Sequence, residues 1–276
     1  MKNILHLFIF LIAFTSIGQS VQKMNGKSFE AASKTKDSPQ VFAFQKGEWL
    51  KFKMSYSNFL NAGFSTMEVR ETTNNQKAAF HILGKGTSTG IVSLFFNVKD
   101  DYQTYMYKES LLPYRFIRKI DEGGYTKDEE ILFDHENNEA TVKNYKHNTI
   151  HKHPIGEDIQ DLLSSLYYLR NKNLTNLRVG DEIELKMFID KEVTNFKVRF
   201  LGNEVIKTKF GKVKSLKFRP MVQSGRIFKE QESLTIWISD DENKIPLLIK
   251  AELAVGSLRA DLEQFKGLAH PFNIIF

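Results

Sequence analysis

Apolar and polar residues alternate along most of the chain after its first 40 residues, which is the pattern of half-buried β-strands. In the first such segment Leu50, Phe52 and Met54 fall on one face, and Lys51 and Lys53 fall on the other. Further segments of this kind begin near Phe64, Ala79, Phe96, Tyr114, Ile131, Ala140, Ile183, Phe196, Leu216, Leu234, Leu247 and Leu258. The chain is therefore predicted to be mainly β.

Short polar turns separate these segments, with Asn74-Asn75, Gly123-Gly124 and Asn137-Asn138 as hairpin signals. Consecutive strands with short turns predict an antiparallel meander. A meander of this size must curl to bury one face and to limit its exposed edges. We predict a strongly curved antiparallel meander that forms an open barrel or a β-spiral.

One segment breaks the β pattern, because its apolar residues recur at helical spacing: Ile159, Leu162, Leu163, Leu166 and Leu169. Acidic residues stand at its start and basic residues at its end, as the helix dipole favours: Glu157, Asp158, Arg170 and Lys172. The pattern predicts one amphipathic helix over about 157–171, packed on or in the curved sheet.

The helix divides a predicted β-rich domain (41–276) into two halves, 41–153 and 178–265. Both halves open alike, with GEWLKFKM from Gly47 and GDEIELKM from Gly180. This likeness is either an internal duplication or a chance match between two strands.

The amino terminus has the pattern of a secretory signal peptide over residues 1–18. Lys2 precedes an apolar run from Ile4 to Phe14, and Ser16-x-Gly18 supplies small residues for cleavage. The run is shorter than the about 20 apolar residues that a membrane-spanning helix needs. An uncleaved anchor is the alternative. The polar residues 19–40 are predicted to be a flexible lead-in.

Cysteine is absent from the chain, which removes disulfides, thiolate chemistry and the lipidation site of a lipoprotein. No second long apolar run occurs, so no transmembrane segment is expected after signal cleavage. The chain is thus predicted to be periplasmic or secreted, soluble and not a lipoprotein.

The net charge is +6, with acidic and basic residues interspersed. A nucleic-acid-binding surface would cluster its Lys and Arg, so nucleic acid is not an expected partner. Weak attraction to an anionic lipid or glycan stays open.

Gly86-Thr87-Ser88-Thr89-Gly90 matches the G-x-S-x-G nucleophile elbow, in which the serine lies between a strand and a helix. Residues 79–83 and 91–96 could supply that strand and helix. The alternating β-α pattern of such hydrolases is missing, as is an oxyanion loop. Catalysis by Ser88 is therefore the less favoured interpretation, and a strand end is the favoured one.

His147, His151 and His153 lie close together, and a His-x-His pair on a strand could hold zinc. Lys143, Lys146 and Lys152 interleave with them and oppose a cation. We expect a polar hairpin here, with no metal and no cofactor.

Adjacent acidic pairs occur at 100–101, 129–130 and 240–241, but neighbours on a strand point to opposite faces and make no catalytic couple. The aromatic and leucine side chains could instead fill the core or line a site for a lipid or another apolar ligand. The residues with this assignment are Phe52, Phe96, Tyr102, Phe116, Leu162, Leu166 and Trp237.

Several motifs together resemble an exported bacterial family, the domain of unknown function 3108. They are Gly47-Glu48-x-Leu50-x-Phe52, Phe95-Phe96-x-Val98-x-Asp100-x-Tyr102, DLLSSLYYLR over residues 161–170, Gly202-x-Glu204-x-Ile206-x-Thr208-x-x-Gly211, and Ile236-Trp237-Ile238-Ser239-Asp240-Asp241-x-x-x-Ile245-Pro246. The resemblance runs from about Phe44 to Leu262. It implies export and a curved antiparallel sheet, and it supplies no catalytic residues.

Three functional hypotheses follow. The first is a non-enzymatic binding or structural module of the cell envelope, with an envelope protein, lipid or glycan as partner. The second is a carrier that holds a lipid or another apolar ligand in the curved sheet. The third is a hydrolase that uses Ser88 or the histidine cluster.

Overall fold

The computed structural model describes residues 41–57, 59–221, 233–253 and 256–275. The predicted signal peptide (1–18) and lead-in (19–40) lie outside the described residues.

The N-terminal half of the chain forms eight strands and one short helix. Its strands are β1 (Trp49–Tyr56), β2 (Leu60–Asn74), β3 (Lys77–Ser88), β4 (Lys99–Tyr107), β5 (Pro113–Glu122), β6 (Tyr125–Asp134), β7 (Glu139–Asn144) and β8 (Thr149–Pro154). The helix α1 (Gly90–Phe95) lies between β3 and β4.

The short strand β9 (Ile159–Gln160) and the helix α2 (Leu162–Arg170) connect the two halves. The C-terminal half then forms β10 (Glu182–Ile189), β11 (Glu192–Thr208), β12 (Gly211–Pro220), β13 (Leu234–Ser239), β14 (Pro246–Glu252) and β15 (Ser257–Lys266).

All fifteen strands belong to one sheet, in the order β8-β7-β6-β5-β4-β3-β2-β1-β15-β14-β13-β12-β11-β10-β9. Each half is a meander, and the first strand pairs with the last, with Trp49 opposite Lys266. Every pairing is antiparallel except the short one between β9 and β10. The prediction of a curved, open antiparallel meander with a helix is confirmed.

Strand β10, next to one edge of the sheet, meets β5 and β6 of the N-terminal half through side chains. Asp190, in the turn between β10 and β11, pairs with Arg118 of β5 and with Lys127 of β6. Phe188 of β10 packs edge-on against Phe133 of β6, with ring centroids 6.2 Å apart. These contacts bring the open barrel close to closure without a hydrogen-bonded strand pair.

The helix prediction was wrong in its first residues. Asp158 has a φ angle of 56°, in the left-handed region that a right-handed helix cannot contain. Ile159 and Gln160 pair with β10 instead, and α2 begins after Asp161. The helical spacing from Leu162 to Leu169 is confirmed.

The two predicted halves open with the same backbone geometry. Gly47 and Gly180 have φ angles of 89° and 97°. The Gly47 N–H donates to Val69 O, and the Gly180 N–H donates to Phe200 O, both at 2.9 Å. In each half that partner also donates back, to the residue after the glycine. The duplication stays a prediction, and this shared geometry supports it.

Candidate functional site

The sheet and helix α2 enclose a cavity, which we call the α2 cavity. The empty space between its walls, including the part open to solvent, is about 1110 Å³. Twenty residues line it, and three of them are polar: Ser65, Ser165 and Arg170. The apolar lining consists of Phe52, Met54, Met67, Leu162, Leu166, Leu169, Leu174, Ile183, Phe196, Val198, Phe218, Pro220, Ile236, Ile238, Pro246, Ile249 and Ala260.

Most of this lining comes from the C-terminal half. Strands β10 to β15 all contribute, whereas the N-terminal half contributes only β1 and β2. The alternation of each strand places these side chains on the concave face, as Ile236 and Ile238 show on either side of Trp237.

Helix α2 separates the cavity from a packed region, since none of its nine residues is exposed. Leu163 and Tyr167 lie one turn apart and face the N-terminal half. Tyr167 stacks edge-on against Phe44, with centroids 4.7 Å apart. Leu163 lies so close to Gly84 that a Cβ there would stand 3.3 Å from its Cδ2. The other face, with Leu162, Leu166 and Leu169, lines the cavity.

Asp161 fixes the start of α2. Its carboxylate accepts hydrogen bonds from Leu163 N at 2.8 Å and Ser164 N at 2.9 Å, and Ser164 Oγ accepts from Asp161 N. This is a capping box, which satisfies helix donors that would otherwise be unpaired. The Thr104 hydroxyl of β4 also donates to Asp161. Burial raises the pKa of Asp161 to about 6, although these hydrogen bonds act to lower it.

A buried ion pair holds the end of α2. Both Arg170 and Glu48 are buried, with Nη1–Oε1 and Nη2–Oε2 distances of 2.6 and 2.7 Å. Arg170 also donates to the carbonyl oxygens of Ala43 and Asn243. Each of the three nitrogen atoms of this guanidinium, which lines the cavity, thus has at least one protein partner.

The turn between β13 and β14 completes this buried network. The Asp241 carboxylate accepts from the Ser239 hydroxyl at 2.7 Å and from Asn243 N at 2.9 Å. The Asn243 side chain donates to the carbonyl oxygens of His270 and Pro271. The turn that contains the acidic pair 240–241 is therefore a structural corner that ties the C-terminal segment to the end of α2.

The seven residues that were predicted to fill the core or to line an apolar site lie in different parts of the structure. Phe52, Leu162 and Leu166 line the α2 cavity. Tyr102 and Phe116 are buried in the core of the N-terminal half, with centroids 6.2 Å apart.

Phe96 and Trp237 lie elsewhere. The Phe96 ring lies against Gly123, where any Cβ would collide with it. Trp237 is buried on the opposite face of β13, where its indole N–H donates to Glu204 at 2.9 Å. Lys217 lies over the Trp237 ring, 5.1 Å from the centroid.

Sequence reasoning missed most of the cavity wall. Ile183, Phe196, Ile236 and Ile238 lie in segments that the alternation predicts as strands. Nothing in a single sequence shows which strand faces will enclose a space. The missed buried pair of Glu48 and Arg170 had only a weak signal, because both residues look like ordinary surface charges.

The histidine cluster does not converge on one point. His151 and His153 lie on β8 with ring centroids 6.5 Å apart, and His147 lies in the preceding turn. Burial lowers the pKa of His153, and the charge of Lys191 acts in the same direction. Within the described ranges, no group of three or more His, Asp or Glu could hold a metal ion.

Ser88 has the local context of a nucleophile elbow, since it ends β3 and α1 begins two residues later. Its hydroxyl oxygen accepts a hydrogen bond from Val98 N at 2.8 Å, and Ser88 N donates to Val98 O at 3.2 Å. This pair of bonds holds the two ends of the α1 connection together.

The described helices include none that is long and apolar enough to span a bilayer. No protein of curated function matches the sequence. Among solved structures, the chain is similar to a β-barrel-like protein of the domain of unknown function DUF1849 from Brucella abortus. Their sequence identity is 10% and the TM-score is 0.52, over 79% of this chain and 96% of that one. This likeness supports the fold alone.

The chain is also similar to a "putative lipoprotein" from Parabacteroides distasonis, with 14% identity and a TM-score of 0.36 over 83% of this chain and 100% of that one. The sequence profile described as "Protein of unknown function (DUF3108)" matches residues 51–263. That match spans most of the sequence, and the resemblance of the motifs is thereby confirmed: the chain belongs to the DUF3108 family of proteins of unknown function.

Proposed function

We propose that this chain is an exported, non-enzymatic binding protein of the bacterial cell envelope that holds a lipid or another apolar chain in the α2 cavity. The observation that carries the proposal is the lining, in which all but three residues are apolar. The signal-peptide pattern supports the location.

The polar atoms of the lining favour an apolar occupant over water. The Ser165 hydroxyl donates to Leu162 O at 2.7 Å, and the Arg170 guanidinium is held by Glu48 and by backbone carbonyls. A buried water needs two to four polar partners, and these groups are already in use. An apolar chain that enters gains free energy because it leaves water.

The partial exposure of side chains in the wall of the α2 cavity also favours an apolar occupant. Leu166, Leu169, Ile236 and Ile238 are only half-buried, although each lies on the concave side of the molecule. Covering such apolar surface is worth about 25 cal/mol for each Å² removed from water.

A fluorescent fatty acid tests the proposal in solution. We expect the full chain, purified and delipidated, to bind cis-parinaric acid with saturation. The Leu166→Trp variant places a larger ring in the cavity and should weaken that binding roughly tenfold or more, since overpacked sites do not expand freely.

Val205→Trp serves as the matched control, because Val205 is exposed on β11 and lies outside the lining. Its affinity should equal that of the wild type. Equal affinities for wild type and Leu166→Trp, or no saturable binding by the wild type, would contradict the proposal.

A further inference from the structure

Five large apolar side chains are exposed at one end of the barrel. Phe59, Leu94 and Phe95 are 83%, 82% and 84% exposed, and Ile91 and Tyr125 are 56% and 48% exposed. We call this surface the α1 end. Single exposed apolar residues are common, but a group of this kind marks an interaction surface.

The strand connections place these residues together. Phe59 lies in the turn between β1 and β2, and α1 connects β3 to β4. Thr89 N, just before α1, donates to Ala62 O at 3.1 Å. Gly123 N, just before Tyr125, donates to Asn97 O at 2.8 Å, just after α1.

Helix α1 directs its larger apolar face away from the protein. Val92 and Phe96 lie one turn apart and pack against the core. Ile91, Leu94 and Phe95 lie on the outer side. Residues 86–98 contain no charged side chain, so no charge interrupts the apolar surface that Ile91, Leu94 and Phe95 form.

Positive charge borders the α1 end on the side of β1 and α1. Residues 49–67 and 72–99 contain no Asp or Glu, and Lys53 and Lys99 are exposed. Lys99 is the first residue of β4, four positions after the last residue of α1. Lys53 stands three residues before the end of β1, roughly 10 Å along the strand. Within the described part of the chain, neither lysine forms an ion pair, whereas Lys85 pairs with Asp101 at 3.6 Å.

We propose that the α1 end docks on the surface of a lipid bilayer that contains anionic lipids. Apolar side chains at a membrane interface enter the headgroup and acyl boundary by about 5–10 Å, and lysines at that depth reach the phosphates. The outer residues of α1 and the two lysines have this arrangement. A second copy of the chain fits less well, because a two-fold contact would bring the lysine borders of both copies together.

The docked orientation also brings the α2 cavity toward the bilayer. Met54 of the lining pairs with Gly63, and Gly63 pairs with Ser88, just before α1. The docking proposal nevertheless stands on its own surface and does not depend on occupation of the cavity.

Vesicle sedimentation tests the docking. The full chain should co-sediment with vesicles of phosphatidylcholine and phosphatidylglycerol, and high salt should reduce the bound fraction. The double variant Leu94→Asp/Phe95→Asp should lower the partition coefficient roughly tenfold or more, because each apolar side chain contributes at least that factor when it leaves water. Val179→Asp is the control, since Val179 is 73% exposed at the other end of the barrel.

A second variant tests the charge alone. Lys53→Glu/Lys99→Glu should lower binding to anionic vesicles severalfold and leave the weaker binding to pure phosphatidylcholine unchanged. Light scattering of each variant without vesicles reports whether the patch pairs two copies instead. Equal sedimentation of wild type and the Asp variant, or a wild-type dimer that the Asp variant dissociates, would overturn the proposal.

The test of vesicle docking can be distinguished from the test of ligand binding in the α2 cavity. Binding of cis-parinaric acid without vesicles should be the same for Leu94→Asp/Phe95→Asp and the wild type. Loss of vesicle binding with retained fatty-acid binding therefore reports on the α1 end alone.

Discussion

The two halves of the sheet are both antiparallel meanders, but they are filled differently. In the N-terminal half, aromatic rings occupy the concave side, where Phe44 lies 4.8 Å from Phe80 and 4.7 Å from Tyr167 between centroids. In the C-terminal half the concave side carries mainly aliphatic residues such as Ile236 and Val198, and the α2 cavity remains. The same helix borders both regions, so the difference arises from side-chain size on the facing strands.

This difference teaches how one fold can combine a rigid part with a binding part. Packed interiors resist changes in volume, whereas a preformed space accepts a ligand without unfolding its walls. The packed half holds α2 in position through Leu163 and Tyr167. The other half can then present its apolar wall to a ligand.

The largest effect is expected when the buried contact that joins the two halves is removed. Arg170 binds Glu48 of the N-terminal half and Asn243 O of the C-terminal half. Arg170→Met should lower the free energy of unfolding by about 3–5 kcal/mol, because it leaves the Glu48 carboxylate buried and unpaired. Urea denaturation followed by circular dichroism measures this loss.

The double variant Glu48→Leu/Arg170→Met provides the control. It should regain part of the lost stability, since no buried charge is left unpaired. A double variant less stable than Arg170→Met would show that the ion pair is not the source of the loss.

Two leucines of α2 test the two sides of the helix directly. Leu163 faces the packed half and is fully buried, so Leu163→Ala should cost about 2–5 kcal/mol through lost burial and a new void. Leu166 faces an existing space and is half-buried, so Leu166→Ala should cost about 1 kcal/mol. Urea denaturation of the pair measures both losses, and equal losses would remove the distinction between the halves.

The packed half should also respond to pH through Asp100. Burial raises the pKa of Asp100 well above its ordinary value of 3.8, and the nearby Glu122 adds to this effect. Because the folded state binds the Asp100 proton more tightly than the unfolded state, protonation of Asp100 stabilises the fold. This stabilisation is complete below pH 3.8 and is lost as the pH rises through the raised pKa. Asp100→Asn should therefore lose less stability than the wild type between about pH 4 and about pH 8.

Urea denaturation across that pH range gives the two slopes. Asp134→Asn is the control, because hydrogen bonds from Asn137 lower the pKa of the exposed Asp134 and move its effect below this range. Identical slopes for wild type and Asp100→Asn would argue against the raised pKa.

The smallest effect is expected at Ser88. Ser88→Ala removes the acceptor for Val98 N, so we expect a loss of about 1 kcal/mol, the typical worth of one hydrogen bond. Thermal unfolding measures the loss. Esterase activity present in the wild type and abolished in Ser88→Ala would instead revive the hydrolase hypothesis.

The strands, the hairpin turns and the helical spacing from Leu162 to Leu169 were predictable because alternation and turn chemistry are local. The pairing of β1 with β15 was not, since residues such as Trp49 and Lys266 stand more than 200 positions apart with no local signal. The start of α2 was missed because Asp158 adopts a left-handed conformation that its residue type only permits. At the candidate site, the sequence predicted Phe52, Leu162 and Leu166 as core or lining residues. It could not predict whether the interior is filled or contains a cavity, because that depends on the sizes of all the facing side chains.

The most direct test of the account is the lipid content of the protein itself. Native mass spectrometry of the full chain, isolated from cell envelopes, should show an added mass that organic extraction removes and identifies as a lipid or fatty acid. The Leu166→Trp variant, isolated in the same way, should lack that mass, and Val205→Trp should retain it. A wild-type protein free of added mass, which also fails to take up fatty acid, would contradict the claim that the α2 cavity is a binding site for an apolar chain.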